Sequence, residues 1–419
     1  MHELSRVTGH RLLARGHVAA VLSSAGALQA ASSAAAALAA TRILGPEDRG
    51  LMVLGITIGS VFGLIGGLGT GSAFRSWFLT REGGAELRRL ASAYTWCSVA
   101  GVLPAAVLAV AVTALSGSLI DGVLSSTTFL FATATFTIAQ ALLTQIIDAW
   151  FADGRFRRGS LAAAGISFGG LVGMLGGLAI SPSAPSAVLG QAVGLIVVGA
   201  IEVLALIRAG IISLARPLAP DMLALLQRGM PALGLTVGLA VALRGDRYVL
   251  GAVAGAATVG IYSLAATLGE IPRMLPAALG QLFLRDSSLG HGGERLARTG
   301  WFAVVAAAIA ALVVGVAGWF LIVPVFGAAF APARDLLVVL VAAEVCFAPY
   351  AVASRGLLGG GWTKTACALG IGGSIGAVAC YVVGASVGGA MGVAAGCVII
   401  YSTLSLVSWR LLRRRTGRE

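Results

Sequence analysis

Residues 301–323 read WFAVVAAAIAALVVGVAGWFLIV, a long run without a charged side chain. A bilayer core about 30 Å thick is crossed by roughly 20 apolar residues in a helix, so this run predicts a transmembrane helix. The sequence as a whole predicts an all-α membrane protein of about 12 transmembrane helices, since isolated helices satisfy their own backbone groups in lipid. The other apolar runs lie at 18–40, 51–74, 92–115, 126–147, 161–180, 187–207, 230–250, 259–283, 336–358, 364–385 and 389–409.

The composition also indicates a membrane protein. Hydrophobic residues make up 58% of the chain and charged residues 11%, with a mean hydropathy of +0.94, whereas an average soluble domain is about 25% charged. The polar stretches at 75–90 and 208–228 are too short to form a separate soluble domain. The first apolar run is too long for a cleaved signal peptide, so we expect it to be the first span.

The net charge of +12 at pH 7 could suggest nucleic-acid binding, but its distribution indicates another cause. Most of the 29 lysines and arginines lie at the two termini or in every second loop, which is the pattern of the positive-inside rule. We therefore expect a bacterial plasma-membrane protein with both termini in the cytoplasm and no nucleic-acid partner. The basic tail at 410–418 is expected to lie against anionic membrane lipids. The cations that depart from the pattern are Arg42, Arg49, Arg244, Arg247 and Arg334 at predicted outer ends, and Arg273 within a span.

Residue types that carry catalysis or bind metals show no functional pattern. The five cysteines fall within apolar runs and have no metal-ligand spacing, so they are predicted to be small core residues. The four histidines lie near the N-terminus or in one loop, and no Ser/His/Asp set or phosphate-binding glycine loop occurs. The sequence predicts no catalytic residue, metal site or cofactor, and hence a protein that is not an enzyme.

The chain divides into two halves of six predicted spans, 1–210 and 211–419. Residues 50–54, GLMVL, resemble 260–264, GIYSL, and residues 42–45 resemble 247–251 in a similar way. The offset is about half the chain, and both copies follow a span that ends on the same side. This arrangement predicts parallel repeats related by an axis along the membrane normal, with a substrate site between the halves.

Three motifs occur around the ends of the first and seventh spans. Residues 42–50 read RILGPEDRG, residues 246–251 read DRYVLG, and residues 259–265 read VGIYSLA. The pair Phe326-Gly327 and the glycine-rich stretch 388–396 add further matches. Together they resemble the Wzx-type polysaccharide and oligosaccharide flippases of the multidrug/oligosaccharidyl-lipid/polysaccharide (MOP) exporter superfamily.

This resemblance implies both a fold and a cargo. The fold would be MATE-like, with two six-helix lobes around a central cavity that opens alternately to each side. The cargo would be an undecaprenyl-diphosphate-linked oligosaccharide, moved from the inner to the outer leaflet for surface polysaccharide biosynthesis. A polysaccharide polymerase or glycosyltransferases would be partner proteins. The family performs no covalent chemistry on its cargo.

An anionic diphosphate and a polar glycan need charged and hydrogen-bonding groups along their path, because ionisable residues within the membrane are costly and tend to face a cavity or a partner. Glu344 is our candidate for coupling to a proton gradient. Uncharged polar groups are available on Gln29, Gln140, Gln145, Gln191 and Gln281. The candidate substrate-binding residues are Arg42, Arg244, Asp246, Arg247, Glu270 and Arg273.

Several of these residues have an alternative structural interpretation. Glu270 and Arg273 are three residues apart and could neutralise each other. Arg49 is expected to reach the outer headgroups. Glu344 could be a buried carboxyl group that stays protonated.

Other functions are also compatible with this sequence. A cation-coupled multidrug exporter of the same superfamily commonly has a carboxylate in its first span, and 18–40 contains none. Lipid II flippases usually have additional spans and more cavity cations. A membrane scaffold for polysaccharide enzymes would leave its intramembrane charges paired or packed rather than facing a cavity.

Overall fold

The computed structural model describes the backbone of residues 2–78, 84–288 and 292–416, and most side chains between 29 and 414. The side chain of Gln281 and the end of the basic tail, including Arg415 and Arg418, lie outside the described residues. Within these ranges the regular elements are all helical. Short 3-10 helices occur at Gly122–Ser125, Ile271–Arg273 and Ala328–Phe330. The α-helices are α1 (His2–Gly66), α2 (Thr70–Phe78), α3 (Gly84–Leu119), α4 (Thr127–Ala152), α5 (Phe156–Ile180), α6 (Ala184–Arg208), α7 (Ala219–Gly269), α8 (Met274–Ser288), α9 (Gly292–Phe326), α10 (Ala333–Gly359) and α11 (Thr363–Thr416).

Nine helices in the described part of the chain are long and apolar enough to cross a membrane: α1, α3–α7 and α9–α11. Three of them contain a break in helical geometry, at Gly45 in α1, Gly255 in α7 and Gly388-Gly389 in α11. The chain reverses at each break, so each of these helices contributes two spans. The predicted all-α membrane fold of about 12 spans is thereby confirmed.

The reversals depend on glycine. Gly45 has φ 72° and ψ −179°, and Gly255 has φ 80° and ψ 170°, a backbone region that is open essentially to glycine alone. Contacts across the breaks show that the chain turns back: Arg49 donates to the carbonyl oxygen of Ala37, twelve residues earlier in the chain. Because all three reversals join an odd to an even span, they lie at one end of the bundle, here called the hairpin end.

The first and second halves of the chain meet at the hairpin end through backbone-to-backbone packing. A Cβ atom on Gly50 would overlap the carbonyl oxygen of Ala256, and a Cβ atom on Gly260 would overlap the carbonyl oxygen of Pro46. These contacts are reciprocal and involve residues 210 positions apart, as are the two reversals at Gly45 and Gly255. We call this contact the glycine seal. It relates the two halves by the approximate symmetry predicted from the 50–54 and 260–264 repeat.

A second contact joins the halves toward the opposite end, here called the linker end. A Cβ atom on Gly69 or on Gly229 would overlap the carbonyl oxygen of the other residue. The connection between α6 and α7 is anchored nearby, because the Trp96 side chain donates to the carbonyl oxygen of Ala215 at 3.0 Å. The predicted boundary between the halves, at residue 210, falls in this connection. As a domain boundary it stays a prediction.

The glycine seal generates a stability prediction. Replacing Gly50 by Ala is expected to lower the free energy of unfolding by about 1–3 kcal/mol, because an added methyl group must displace backbone atoms. The measurement is an SDS unfolding titration of the purified protein in bicelles. Gly176→Ala is the matched control: a Cβ there meets nothing within 4 Å, and Ala favours a helix by about 1 kcal/mol. Equal stability of the two variants would contradict the seal.

Candidate functional site

A cavity of about 520 Å³ lies between the two halves. Its size is within the range of about 300–1,000 Å³ that is common for ligand pockets. The second half of the chain contributes a charged wall, which includes Arg244, Arg247, Glu270 and Arg273. The first half contributes a wall of neutral residues from α1, α4, α5 and α6. Its polar members are Gln29, Ser33, Thr57, Ser60, Gln140, Ser167 and Gln191.

Arg244 and Arg247 lie deeper than the sequence predicted. Instead of ending near these charges, α7 continues through them as a regular helix up to the reversal at Gly255. With a rise of 1.5 Å per residue, the two arginines lie roughly 12–16 Å from that reversal along the helix. The prediction that they sit at the outer end of the seventh span is therefore wrong. They face the cavity within the apolar part of the bundle.

The charged wall continues at a break in the next span. Helix α7 ends at Gly269, a 3-10 turn covers Ile271–Arg273, and α8 begins at Met274. Pro272 has no backbone N–H and disfavours an uninterrupted helix here. The predicted eighth span, 259–283, therefore contains a break in its helix. Discontinuous helices of this kind often form substrate sites near the bilayer midplane of transporters.

Ion pairs link the charged side chains into a chain. Arg247 Nη2 lies 2.5 Å from Glu270 Oε1, and Arg273 Nη2 lies 3.8 Å from the same oxygen. Arg273 also donates to both carboxylate oxygens of Glu344, at 2.6 and 2.8 Å. The close partner of Arg273 is therefore Glu344 on α10, and Glu270 belongs mainly with Arg247. Glu270 is the most exposed member, with 38% of its side chain accessible.

Glu344 lies behind the cavity wall. Its side chain is buried, and it does not line the cavity. The two-point pairing with a guanidinium favours an ionised carboxylate rather than a permanently protonated one. Whether Glu344 couples transport to protons stays a prediction.

Asp246 and Arg42 do not line the cavity, although the sequence analysis named both as candidate substrate-binding residues. Asp246 is buried and accepts hydrogen bonds from the Tyr262 hydroxyl at 2.7 Å and from the backbone N–H of Arg247. It therefore fastens the seventh span to the eighth. Arg42 is exposed close to the Gly45 reversal. Within the described chain, no cluster of three or more His, Cys, Asp or Glu side chains could hold a metal ion.

Arg244 differs from its charged neighbours because its guanidinium has no hydrogen-bond or ion-pair partner among the described residues, although the side chain lines the cavity. The Nε atom of Arg247 is likewise buried without a partner in this part of the chain. Buried donors are normally satisfied. At the cavity itself, Arg244 is thus a cationic hydrogen-bond donor without a partner in the described chain.

Arg49 holds a structural position that the sequence did not predict. It is fully buried next to the glycine seal, so the expectation that it reaches the outer headgroups is wrong. Its Nε donates to the carbonyl oxygen of Gly260 at 3.2 Å and to the Ser263 hydroxyl at 3.1 Å. Its Nη1 donates to the carbonyl oxygen of Ala37 and to Thr41. This guanidinium ties the first hairpin to the eighth span without a carboxylate among the described residues.

No family model and no curated protein matches this sequence. Solved structures do match its fold. Lipid II flippase MurJ in an inward closed conformation has a TM-score of 0.73 at 15% identity, covering 93% of this chain and 87% of that chain. The inward-facing conformation of a multidrug resistance MATE family transporter of the MOP superfamily has a TM-score of 0.67 at 16% identity, covering 96% of this chain and 98% of that chain.

A structure in a different conformation also matches the fold. An outward-facing conformation of a multidrug resistance MATE family transporter has a TM-score of 0.56 at 15% identity, covering 96% of each chain. At these identities the similarity establishes the fold. The predicted MATE-like arrangement of two helical lobes around a central cavity is confirmed.

The Arg273–Glu344 pair generates a second stability prediction. Glu344→Gln is expected to lower the free energy of unfolding by about 3 kcal/mol, because it leaves a buried guanidinium without its counter-charge. The double variant Arg273→Met/Glu344→Met should recover most of this loss, since apolar replacement of a whole buried pair is often neutral. SDS titration again provides the measurement.

The control for this prediction is the exposed pair of Arg89 and Asp221, whose nitrogen and oxygen lie 3.1 Å apart. Asp221→Asn makes the same chemical change and should cost less than about 1 kcal/mol, because solvent screens the pair. If Glu344→Gln costs no more than this control, Glu344 does not hold Arg273 in place.

Proposed function

We propose that this protein is a flippase that moves an undecaprenyl-diphosphate-linked oligosaccharide from the inner to the outer leaflet of a bacterial plasma membrane for surface polysaccharide biosynthesis. The observation that carries the proposal is the charged wall of the cavity. Three arginines, Arg244, Arg247 and Arg273, face the same space, and one of them has no partner in the described chain. A guanidinium matches phosphate oxygens in geometry as well as in charge.

The glycine seal and Arg49 would act as the gate on the outer side. Closure at the hairpin end leaves the cavity to be loaded from the other side. Release would require the seal to open while another contact forms at the linker end. The seal consists of backbone contacts and a few hydrogen bonds with no ion pair among the described residues, so separating it leaves no unpaired carboxylate.

The corrected arginine positions support the proposed orientation, with both termini in the cytoplasm. Of the cations that the sequence placed outside, Arg244 and Arg247 line the cavity and Arg49 is buried in the seal. Arg42 and Arg334 remain at the hairpin end. The asymmetry of charge between the two ends is therefore stronger than the sequence alone indicated. The described part of the basic tail, at the linker end of α11, would then contact anionic lipid on the cytoplasmic face.

Two alternatives share this fold. A multidrug exporter of cationic compounds is disfavoured by the arginine wall, which repels such cargo. A lipid II flippase is favoured by the MurJ-like fold, and its cargo also carries a diphosphate. The two flippase functions differ in the glycan, and therefore in which cell process fails without the protein. A polysaccharide polymerase and glycosyltransferases are the partners that the oligosaccharide function implies.

Deletion of the gene tests the proposed function. We expect diphosphate-linked glycan to accumulate on the cytoplasmic leaflet and surface polysaccharide to disappear, with recovery from a plasmid copy. Leaflet distribution is measured by accessibility of the glycan to an externally added glycosidase in spheroplasts. Unchanged surface polysaccharide would contradict the proposal. Growth of a strain depleted of its lipid II flippase, rescued by this protein, would instead support the lipid II function.

The charged wall predicts a binding defect. Arg244→Gln is expected to weaken binding of undecaprenyl diphosphate about tenfold, because a hydrogen bond to a charged group contributes about 1.5–3 kcal/mol. Binding is measured with the purified protein in nanodiscs. Arg334→Gln is the matched control: its guanidinium lies over the Trp319 ring, away from the cavity, so its affinity should equal that of the wild type. Equal affinity of both variants would remove Arg244 from the site.

A further inference from the structure

We infer that the neutral wall of the cavity binds the glycan, and that it selects an uncharged sugar headgroup next to the diphosphate. This inference rests on the proposed function and adds an orientation for the cargo: phosphates toward the second half of the chain, sugars toward the first half. The observation behind it is a set of three glutamine amides, on Gln29, Gln140 and Gln191, that come from three different helices and all line the cavity.

These amides have hydrogen-bonding capacity that the described part of the protein does not use. The side-chain amides of Gln29, Gln140 and Gln191 form no hydrogen bond with another described residue, and the Gln191 Oε1 atom is buried without a partner in this part of the chain. The Thr57 hydroxyl on the same wall is also buried and unpaired in this region. Gln145, which does not line the cavity, is partly satisfied: its amide nitrogen donates to the carbonyl oxygen of Gly67, while its Oε1 atom has no partner among the described residues. The three amides at the cavity have neither a donor nor an acceptor partner in the described chain.

Close packing fixes the side-chain stems that carry two of these amides. A Cβ atom on Gly63 would lie 3.0 Å from the Cβ of Gln140, so the second span packs tightly against the stem of this side chain. A Cβ atom on Gly170 would lie 3.5 Å from the Cγ of Gln191. Each glutamine stem therefore rests against a glycine of a neighbouring helix. Both residues line the cavity, and this packing holds their stems in place there.

The chemistry of this wall fits sugar hydroxyl groups better than other cargo parts. An amide offers two donors and an acceptor, and a hydroxyl group offers both, which matches the mixed donor and acceptor pattern of a sugar. An isoprenoid tail would leave these groups unpaired at a cost of about 1–3 kcal/mol each. Among the residues that the structure describes, no charged side chain lines this half of the cavity. A neutral glycan is therefore the ligand class that satisfies it.

The test compares two ligands that differ in the sugar alone: undecaprenyl diphosphate, and the same lipid carrying a neutral disaccharide. Both are titrated against the full-length protein in nanodiscs. We expect the wild type to bind the glycosylated lipid about tenfold more tightly or better, since each added hydrogen bond contributes about 1 kcal/mol. The triple variant Gln29→Leu/Gln140→Leu/Gln191→Leu should lose this preference and keep its affinity for the bare diphosphate.

The controls distinguish a misfolded variant from a failure of the inference and from a failure of the proposed function. Gln227→Leu makes the same change at an exposed position on α7 and should retain the preference. If the triple variant does not fold, as judged by size-exclusion chromatography, the single variants Gln140→Leu and Gln191→Leu replace it and should each reduce the preference. A wild type that binds both lipids equally, or variants that keep the full preference, would overturn the inference. A wild type that binds neither lipid would instead overturn the proposed function.

Discussion

The glycine seal is the contact on which the rest of this structure depends. Because Gly50 and Gly260 lack side chains, the backbones of the two hairpins approach each other directly at the hairpin end. This approach is close enough for the buried Arg49 guanidinium to reach both Ala37 in the first hairpin and Gly260 in the second. The helices that leave the seal diverge around a cavity. The seal thus determines which faces of α1 and α7 look inward, and so places Arg244 and Arg247 at the cavity.

The two halves have a similar backbone arrangement at the seal but place different side chains at the cavity. At the 210-residue offset of the seal, Arg244 and Arg247 correspond to Ala34 and Ala37, and Glu270 corresponds to Ser60. All of these residues line the cavity. The first half therefore offers space and neutral hydrogen-bonding groups at the positions where the second half offers charge. A symmetric cavity would bind its ligand in two orientations. Under the proposed function, the difference between the two walls would let this cavity distinguish the anionic end of its cargo from the neutral end.

Much of the fold followed from local sequence, while the site depended on tertiary contacts. The lengths of the apolar runs predicted the spans. The turns at Gly45 and Gly255 fall between these predicted runs, and the positive φ of both residues requires glycine. The depth of Arg244 and Arg247 in the bundle could not be predicted from local sequence. The cost of burying these charges is offset by the internal cavity and, for Arg247, by the ion pair with Glu270, and both form only when the helices pack together. Pro272 was a local signal for the break beside Arg273. Arg49 carried no such signal: its partners on the eighth span are more than two hundred residues away.

The ion pairs of the charged wall differ in how easily a ligand could replace them. Glu344 holds Arg273 from behind with two hydrogen bonds and is sealed from the cavity. Glu270 approaches Arg247 from the cavity side and is the more accessible carboxylate. An arriving phosphate would therefore compete with Glu270 and leave Glu344 in place. Exchange of one anion for another avoids exposing a bare guanidinium in a low-dielectric interior, where an unpaired charge is costly. Under the proposed function, this arrangement lets the arginines release their cargo without losing their position.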